Sequence, residues 1–228
     1  MMFVSADGST GYSAALGARL RTPPAVAPWG YAALPRSFDS ELYLLDANGA
    51  AQPGWPVALG GIAGAAPLIA GAESMANATI AALTEEGELW AFSIDGAARA
   101  GFPSRLYGVF DSGFAWAPLW RSFFLVSAEG TLYRVSPDGV LLGSVPLKRG
   151  AAAGSLVLAR DESGDGREEI YVAGGGDALY AYGGDLAVLE GFPVSGAGLP
   201  AFIDIDGDGR RELVVRGIDH SVHAYAQR

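Results

Sequence analysis

The sequence predicts an all-β protein, a β-propeller built from four-stranded antiparallel blades. Short segments with a central aromatic or histidine residue recur at steps of 47, 43, 47 and 43 residues, at 42–45, 89–92, 132–135, 179–182 and 222–225. A second marker, Gly-Trp-Pro, Gly-Phe-Pro or Gly-Ser-Val-Pro, follows each of the first four segments, and its prolines step by 47, 43 and 47 residues. Glycine supplies 33 of 228 residues, about twice the usual share of roughly 7%, as many tight turns require. Two markers in one register indicate a repeat protein.

Each repeat reads as four short strands. In the last complete repeat these strands are predicted at 156–159, 169–173, 178–182 and 191–194, with Gly/Asp-rich turns at 174–177 and 183–185 between the later ones. Aromatic and β-branched runs bounded by such turns are typical of strands. Pro193 fits an edge strand, where a missing N–H removes no ladder hydrogen bond. A β-sandwich of similar length is the alternative, but it has no reason to repeat one marker set at fixed steps.

The repeats divide the chain into blades of a single domain, residues 1–228. We expect a partial blade at 1–21, full blades at about 23–60, 61–108, 114–150 and 151–197, and a partial blade at 199–228, which gives five to six blades. The N-terminal segments 2–5, 10–13 and 16–20 match the second to fourth strands of a blade, and the C-terminus supplies only the first three. Two interpretations stay open: residues 16–20 complete the last blade, or the chain is a segment of a longer propeller.

Composition excludes several classes of partner. A net charge of −10 and a pI near 4.6 argue against nucleic acid or an anionic membrane as the ligand. The chain has no cysteine, so it has no disulfide framework. No apolar stretch is long enough to span a membrane. The first residues have neither the basic nor the apolar region of a secretory signal, which leaves the compartment open.

Two acidic segments carry the clearest chemical signal. Residues 204–212 read Asp-Ile-Asp-Gly-Asp-Gly-Arg-Arg-Glu, and residues 161–169, 43 positions earlier, read Asp-Glu-Ser-Gly-Asp-Gly-Arg-Glu-Glu. Alternate oxygen-bearing side chains around a tight turn suit Ca²⁺, which takes six to eight oxygen ligands. An EF-hand is excluded, because that loop needs a glutamate at position 12, where Val172 and Val215 stand. A solvated acidic turn without a metal is the alternative.

These segments, each followed by a hydrophobic strand, resemble the FG-GAP/VCBS repeat of integrin α-subunit propellers and bacterial surface proteins. The resemblance covers 161–172 and 204–215, and it implies that each acidic loop joins the first and second strands of a blade and holds a structural Ca²⁺. It implies a side-chain ligand set of Asp204, Asp206, Asp208 and Glu212 with the carbonyl of Arg210, and a matching set of Asp161, Ser163, Asp165 and Glu169 with the carbonyl of Arg167. Ser163 offers a hydroxyl in place of a carboxylate, so its loop should bind more weakly. An extracellular, cell-surface or periplasmic location is implied by the same resemblance.

The remaining residues give little sign of catalysis, and no catalytic residue is assigned. The two histidines, His220 and His223, lie beside Asp219 and suggest either acid–base chemistry or a polar turn. Tryptophans at or near repeat positions, Trp55, Trp90, Trp116 and Trp120, suggest either sugar stacking or packing between blades. We therefore expect a non-enzymatic, Ca²⁺-stabilised interaction or adhesion module that binds a protein partner on a propeller face. A carbohydrate-binding propeller and the scaffold of a polysaccharide-lyase-type enzyme are the alternatives, because fold does not decide function.

Overall fold

The chain is described here as a computed structural model. It describes residues 2–4, 10–13, 19–20, 22–27, 29–33, 35–36, 40–71, 73–150 and 157–226; side chains of the strands at 2–4, 10–13, 31–33 and 35–36, and of residue 19, are left aside. Within these residues the regular structure is β-strand, apart from one 3₁₀ turn at Met75–Asn77. The chain divides into two compact units, Met1–Tyr107 and Gly108–Arg228.

The N-terminal unit contains two four-stranded sheets and two short strand pairs. Its strands are β1 (Met2–Val4), β2 (Thr10–Ser13), β3 (Arg19–Leu20), β4 (Ala25–Ala27), β5 (Gly30–Ala33), β6 (Pro35–Arg36), β7 (Glu41–Asp46), β8 (Val57–Ala58), β9 (Leu68–Ala70), β10 (Thr79–Leu83), β11 (Glu88–Phe92) and β12 (Ser104–Arg105). Sheet 1 has the order β4-β5-β7-β8 and sheet 2 the order β9-β10-β11-β12. β1 pairs with β2, and β3 pairs with β6.

The C-terminal unit contains three sheets. Its strands are β13 (Phe114–Ala117), β14 (Ser122–Val126), β15 (Thr131–Val135), β16 (Leu141–Pro146), β17 (Val157–Arg160), β18 (Glu169–Gly174), β19 (Ala178–Tyr182), β20 (Val194–Ser195), β21 (Ala201–Ile203), β22 (Glu212–Arg216) and β23 (Val222–Tyr225). Sheet 3 is β13-β14-β15-β16, sheet 4 is β17-β18-β19-β20, and sheet 5 is β21-β22-β23. Every strand pair is antiparallel, so each sheet is a simple up-and-down meander.

The predicted four-stranded antiparallel repeat is confirmed. The middle strands of sheet 4, β18 and β19, are buried along almost their whole length because neighbouring sheets cover both faces. The leucine of the repeated segment is fully buried in all four complete sheets, as Leu42, Leu89, Leu132 and Leu179. Aliphatic and aromatic residues in these strands therefore read as continuous apolar runs, and the polar residues collect in the turns.

Two residues of the predicted 16–20 strand belong to the described part of the chain, and they pair within the N-terminal unit. Arg19 and Leu20 pair with Arg36 and Pro35 inside the N-terminal unit. The other residues of the predicted 16–20 strand lie outside the described part of the chain. Sheet 5 has three strands in the described residues, and its Val222, at the repeat leucine position, is 72% exposed.

The Gly-aromatic-Pro marker lies before the fourth strand and not in it, which corrects the predicted strand at 191–194. Gly54, Gly101 and Gly191 have φ of 85°, 86° and 87°, a left-handed conformation that glycine adopts readily. The next residue donates its N–H to a carbonyl three positions back, as Phe192 does to Leu189 at 3.2 Å. The two-residue fourth strands β8, β12 and β20 each begin directly after the proline. The Gly-Ser-Val-Pro variant lacks this turn and lies inside the longer strand β16.

Adjacent sheets pack face to face through their apolar side chains. In the N-terminal unit, Trp55 packs edge-on against Phe92 with ring centroids 5.8 Å apart, and its indole N–H donates to the Ile94 carbonyl. In the C-terminal unit, Tyr171 contacts Phe202 of the next sheet at 5.2 Å between centroids. The cores within each unit therefore lie between sheets, as expected where repeats stack on their neighbours.

Candidate metal sites and their connections

The two acidic loops occupy the same place in successive sheets. The first acidic loop, residues 161–169, connects β17 to β18 of sheet 4, and the second acidic loop, residues 204–212, connects β21 to β22 of sheet 5. Both therefore join the first and second strands of a sheet, which is the position that the resemblance implies. In each loop the residue at position 9, Glu169 or Glu212, is already the first residue of the second strand.

The first residue of each loop organises the turn. Both carboxylate oxygens of Asp161 accept backbone N–H groups, from Gly164 at 2.8 Å and Gly166 at 3.0 Å. Asp204 accepts from Gly207 at 2.7 Å and from Gly209 at 3.0 Å in the same way. The glycines at positions 4 and 6 of both loops have φ between 73° and 86°, so glycine is needed there for the backbone to turn.

The last residue of each loop accepts a hydrogen bond from the second residue of the same loop. Glu162 donates its N–H to Glu169 Oε2 at 2.9 Å, and Ile205 donates its N–H to Glu212 Oε2 at 2.8 Å. These bonds hold the position 9 carboxylates beside the position 1 carboxylates. The two loops therefore share one backbone hydrogen-bond pattern, although several of their side chains differ.

Each loop gathers three carboxylates. Oxygens of Asp161, Asp165 and Glu169 lie within 4.8 Å of one another, and so do oxygens of Asp204, Asp206 and Glu212. Two oxygens bound to one Ca²⁺ at about 2.4 Å are at most about 4.8 Å apart, so both sets fit around a single ion. Asp208, also predicted as a ligand, is not in the second set; its Oδ1 accepts the Arg210 N–H at 2.8 Å. Ser163 Oγ accepts the Asp165 N–H at 3.4 Å.

Burial and neighbouring carboxylates raise the pKa of two glutamates in the first acidic loop. Burial raises the pKa of Glu169, and the nearby Asp161 charge raises it further. Hydrogen bonds from Ser163 lower the same pKa and partly offset the effect. Burial likewise raises the pKa of Glu168, with Asp161 and Glu169 adding to the effect and two backbone N–H groups opposing it. A bound cation would favour the ionised form of each group.

The first acidic loop is anchored to sheet 3 through Glu168. This buried carboxylate accepts the N–H of Leu119 at 3.0 Å and of Trp120 at 3.4 Å, in the turn that joins β13 to β14. The Trp120 indole donates to the Glu168 carbonyl at 2.8 Å. Trp120 is therefore a packing residue between sheets, and the sugar-stacking alternative is not supported at this position.

Arg134 completes the same junction. Its guanidinium donates to Ser122 Oγ at 3.0 Å and to the Gly184 carbonyl of sheet 4 at 2.6 Å, and it lies 5.5 Å from the centre of the Trp120 ring. An arginine over an indole face gains a cation–π attraction in addition to its hydrogen bonds. Sequence reasoning missed Arg134, although a charged residue where the other repeats carry Leu44, Ala91, Ala181 and Ala224 was a visible signal.

Glu162 connects the two acidic loops. Its side chain is only 3% exposed and forms ion pairs with Arg160 and, at 3.5 Å, with Arg211 of the second acidic loop. Arg160 also lies over the ring of Phe202 in sheet 5, 5.4 Å from its centre. The first acidic loop thus contacts the equivalent connection of the sheet on either side.

The turn at residues 219–223 holds a cluster of short polar contacts. Ser221 Oγ lies 2.5 Å from Asp219 Oδ1 and 2.7 Å from His223 Nε2. One hydroxyl has one proton, and the pKa of Asp219 is lowered by the Ser221 hydroxyl donating to it. Whether His223 Nε2 donates to Ser221 or accepts from it depends on the tautomer of the imidazole ring. These residues behave as a polar hairpin turn.

The corresponding connections in sheets 2 and 3 are built differently. In sheet 2 the connection includes the 3₁₀ turn at Met75–Asn77, and in sheet 3 a tight turn closes with Arg121 donating its N–H to the Pro118 carbonyl at 3.2 Å. No further group of three metal-ligating side chains is present in the described residues. Nor does any helix in that part of the chain have the length and apolar character to cross a membrane.

Solved structures identify the fold. No family model and no curated protein matches the sequence. BBS1N, in a crystal structure of its complex with ARL6DN soaked with lead, matches with a TM-score of 0.71 and 12% identity, covering 96% of this chain and 69% of that one. BamB from Moraxella catarrhalis matches with a TM-score of 0.60 and 15% identity, covering 95% of this chain and 63% of that one. The fold is a β-propeller. Five successive sheets correspond to about five blades, in agreement with the sequence prediction.

Proposed function

We propose that this propeller is a non-enzymatic interaction module whose C-terminal blades are stabilised by Ca²⁺. The observation that carries the proposal is the pair of acidic loops, each with three carboxylates close enough to share one ion. Their ligands would be Asp161, Ser163, Asp165 and Glu169 with the Arg167 carbonyl, and Asp204, Asp206, Asp208 and Glu212 with the Arg210 carbonyl. The ion would supply a fixed point of charge that holds the loop closed.

The surroundings of the loops favour a structural ion over a catalytic one. Glu168 and Glu162 attach the first acidic loop to the sheets before and after it. A metal there would therefore strengthen contacts between sheets. The loops are largely exposed, and exposed Ca²⁺ sites of extracellular modules bind with Kd values of about 10⁻⁴ to 10⁻³ M. We accordingly propose an extracellular, cell-surface or periplasmic location, where such weak sites fill.

A protein is the partner that we propose for a face of this propeller, and adhesion is one use of such contacts. The BBS1N structure, of the same fold, was determined in complex with another protein. In this chain Trp55 and Trp120, candidates for stacking sugars, donate their indole N–H groups to backbone carbonyls in connections of the next sheet. Their use in packing favours a protein partner over a carbohydrate.

The metal part of the proposal is tested by thermal unfolding with Ca²⁺ or EDTA. At about 100 times Kd, one site adds about 2.7 kcal/mol to the free energy of unfolding. For a chain of this size that raises Tm by about 5 to 10 °C. Asp206→Ala should reduce the shift, whereas Asp138→Ala, an exposed aspartate in a hairpin of sheet 3, should leave it intact. Equal melting temperatures in Ca²⁺ and EDTA would refute the metal assignment.

The interaction part needs a partner and two competing assays. Affinity capture from the producing cells, followed by titration of the purified captured protein, should give saturable one-to-one binding. A glycan array tests the lectin alternative, and ultraviolet absorbance of unsaturated products tests lyase activity on acidic polysaccharides. Saturable glycan binding or product formation by the purified protein would overturn the non-enzymatic, protein-binding assignment.

A further inference from the structure

We propose that the two acidic loops bind Ca²⁺ cooperatively and that the Glu162–Arg211 ion pair carries the coupling. The inference rests on the calcium sites proposed above and adds a regulation of them. Its starting observation is an unusual carboxylate: Glu162 is almost fully buried, although it belongs to an exposed turn, and its ion pair with Arg211 crosses from sheet 4 to sheet 5.

Both ends of this ion pair adjoin a metal-ligating carboxylate. On the sheet 4 side, the Glu162 backbone N–H holds Glu169 Oε2 at 2.9 Å, so the residue that pairs with Arg211 also positions a ligand. On the sheet 5 side, Arg211 directly precedes Glu212, whose Oε2 is held by Ile205 N–H at 2.8 Å. A short chain of contacts therefore links the position 9 ligand of one loop to the position 9 ligand of the other.

The contact between loops follows a relation that recurs in the fold. Position 8 of the second loop, Arg211, reaches back to the connection in sheet 4, and position 8 of the first loop, Glu168, reaches back to the turn at Leu119 and Trp120 in sheet 3. Position 8 is thus the side chain through which each acidic loop contacts the preceding sheet. In the first acidic loop, Glu168 accepts a backbone N–H of the turn in sheet 3. In the second acidic loop, Arg211 pairs with the side chain of Glu162 in the first acidic loop.

Ordering one loop therefore orders its neighbour. An ion that fixes Glu169 also fixes the Glu162 backbone and its side chain, and Arg211 is then held in the geometry in which Glu212 is a ligand. A ligand that pre-orders a second site raises the affinity of that site, and the effect is reciprocal. Because the loops are exposed, direct repulsion between two bound ions is screened by water and salt. A half-exposed ion pair of this kind should change affinity about threefold.

Site-resolved NMR titration with Ca²⁺ tests the coupling. The amides of Gly166 and Gly209 each donate to the first aspartate of their own loop, so their chemical shifts report the two loops separately. Asp204→Asn removes one ligand carboxylate from the second site, and Asp161→Asn removes one from the first, while each keeps one acceptor oxygen. With the second site disabled, the Kd read from Gly166 should rise about threefold, and the reciprocal variant should raise the Kd read from Gly209 by the same factor.

The ion pair itself is tested by repeating this titration in Arg211→Gln and Glu162→Gln backgrounds. There, disabling one site should no longer change the Kd of the other, so the ratio of the two Kd values should fall from about three to about one. Arg216→Gln, an equal change of charge at an exposed position of β22, should leave the factor near three. Arg211 is half exposed, so its variant tests the idea even if loss of the buried glutamate weakens folding. Loops that bind Ca²⁺ with the same Kd whether or not the other site works would overturn the coupling and leave the calcium sites standing. If neither amide responds to Ca²⁺, both proposals are wrong.

Discussion

The junction between sheets 3 and 4 predicts that Gly184 cannot carry a side chain. A Cβ placed on Gly184 would lie 2.0 Å from Trp120 Cδ2, 2.3 Å from Cε2 and 2.4 Å from Cε3. Carbon atoms in contact are about 3.5 to 4.0 Å apart, so the indole would have to move by about 1.5 Å. The ring is fixed on its other side by the 2.8 Å bond from its Nε1 to the Glu168 carbonyl.

The expected size of the effect follows from three contributions. Overpacking a close-fitting core costs about 1 to 3 kcal/mol. Loss of the indole hydrogen bond adds about 1 kcal/mol. Against these, replacing glycine by alanine stabilises by about 0.4 to 1 kcal/mol through the unfolded chain. Gly184→Ala should therefore lower the free energy of unfolding by about 1 to 3.5 kcal/mol.

A double-mutant cycle measured by urea unfolding isolates the clash. In a Trp120→Leu background the obstacle is gone, so Gly184→Ala should there be neutral or slightly stabilising, and the two substitutions should couple by about 2 to 4 kcal/mol. Gly143→Ala is the matched control, because its Cβ meets only the flexible end of Leu186, at 3.2 Å. Equal destabilisation by Gly184→Ala in both backgrounds would show that the indole is not the obstacle.

Two buried tyrosines give further predictions. The Tyr180 hydroxyl is buried without a hydrogen-bond partner in the described residues. Tyr180→Phe should therefore leave the free energy of unfolding unchanged or raise it by up to about 1 kcal/mol. Tyr43→Phe, which removes a 2.9 Å hydrogen bond to Glu41, should lower it by about 1 kcal/mol. Urea midpoints of both variants check this, and a loss of stability in Tyr180→Phe would reveal a partner for that hydroxyl. Burial, with a smaller contribution from Tyr180, raises the pKa of Tyr182 to about 12. The folded state therefore holds that proton more tightly than the unfolded state, and stability should fall as pH rises from about 10 towards 12. Tyr182→Phe should weaken this alkaline loss, and an unchanged pH profile would contradict the assignment.

The repeat was predictable from sequence because it rests on periodic markers. Buried leucines such as Leu89 and Leu179 recur at fixed steps, and glycines such as Gly191 mark a turn that only a left-handed backbone completes. The position of the turn relative to the strand was not predictable, because Pro193 fits an edge strand and the turn before it equally well. The partner of residues 16–20 stayed open in the sequence for a similar reason: Arg19 and Leu20 carry no pattern that chooses between two partners.

The acidic loops could be found from sequence, but their connections could not. Spacing alone places Asp161 and Glu169 near each other, since a glycine-rich turn must return to the next strand. Nothing local indicates that Glu162 turns towards the next sheet while Ile205, at the same loop position, is 58% exposed. Such contacts depend on the packing of one sheet against another, which a single repeat does not contain.

These connections also decide how a metal in the loops would affect binding of a partner. Turn 118–121, the first acidic loop and the second acidic loop belong to three successive sheets and contact one another in series through Glu168 and Glu162. An ion in either loop would therefore act on the junctions between sheets, and partner binding would respond to Ca²⁺ through the stability of the C-terminal unit. In that case Asp206→Ala should weaken partner binding near its own Tm and leave the Kd unchanged well below it. A loss of affinity at low temperature, where the variant is fully folded, would instead place the partner on the loops themselves.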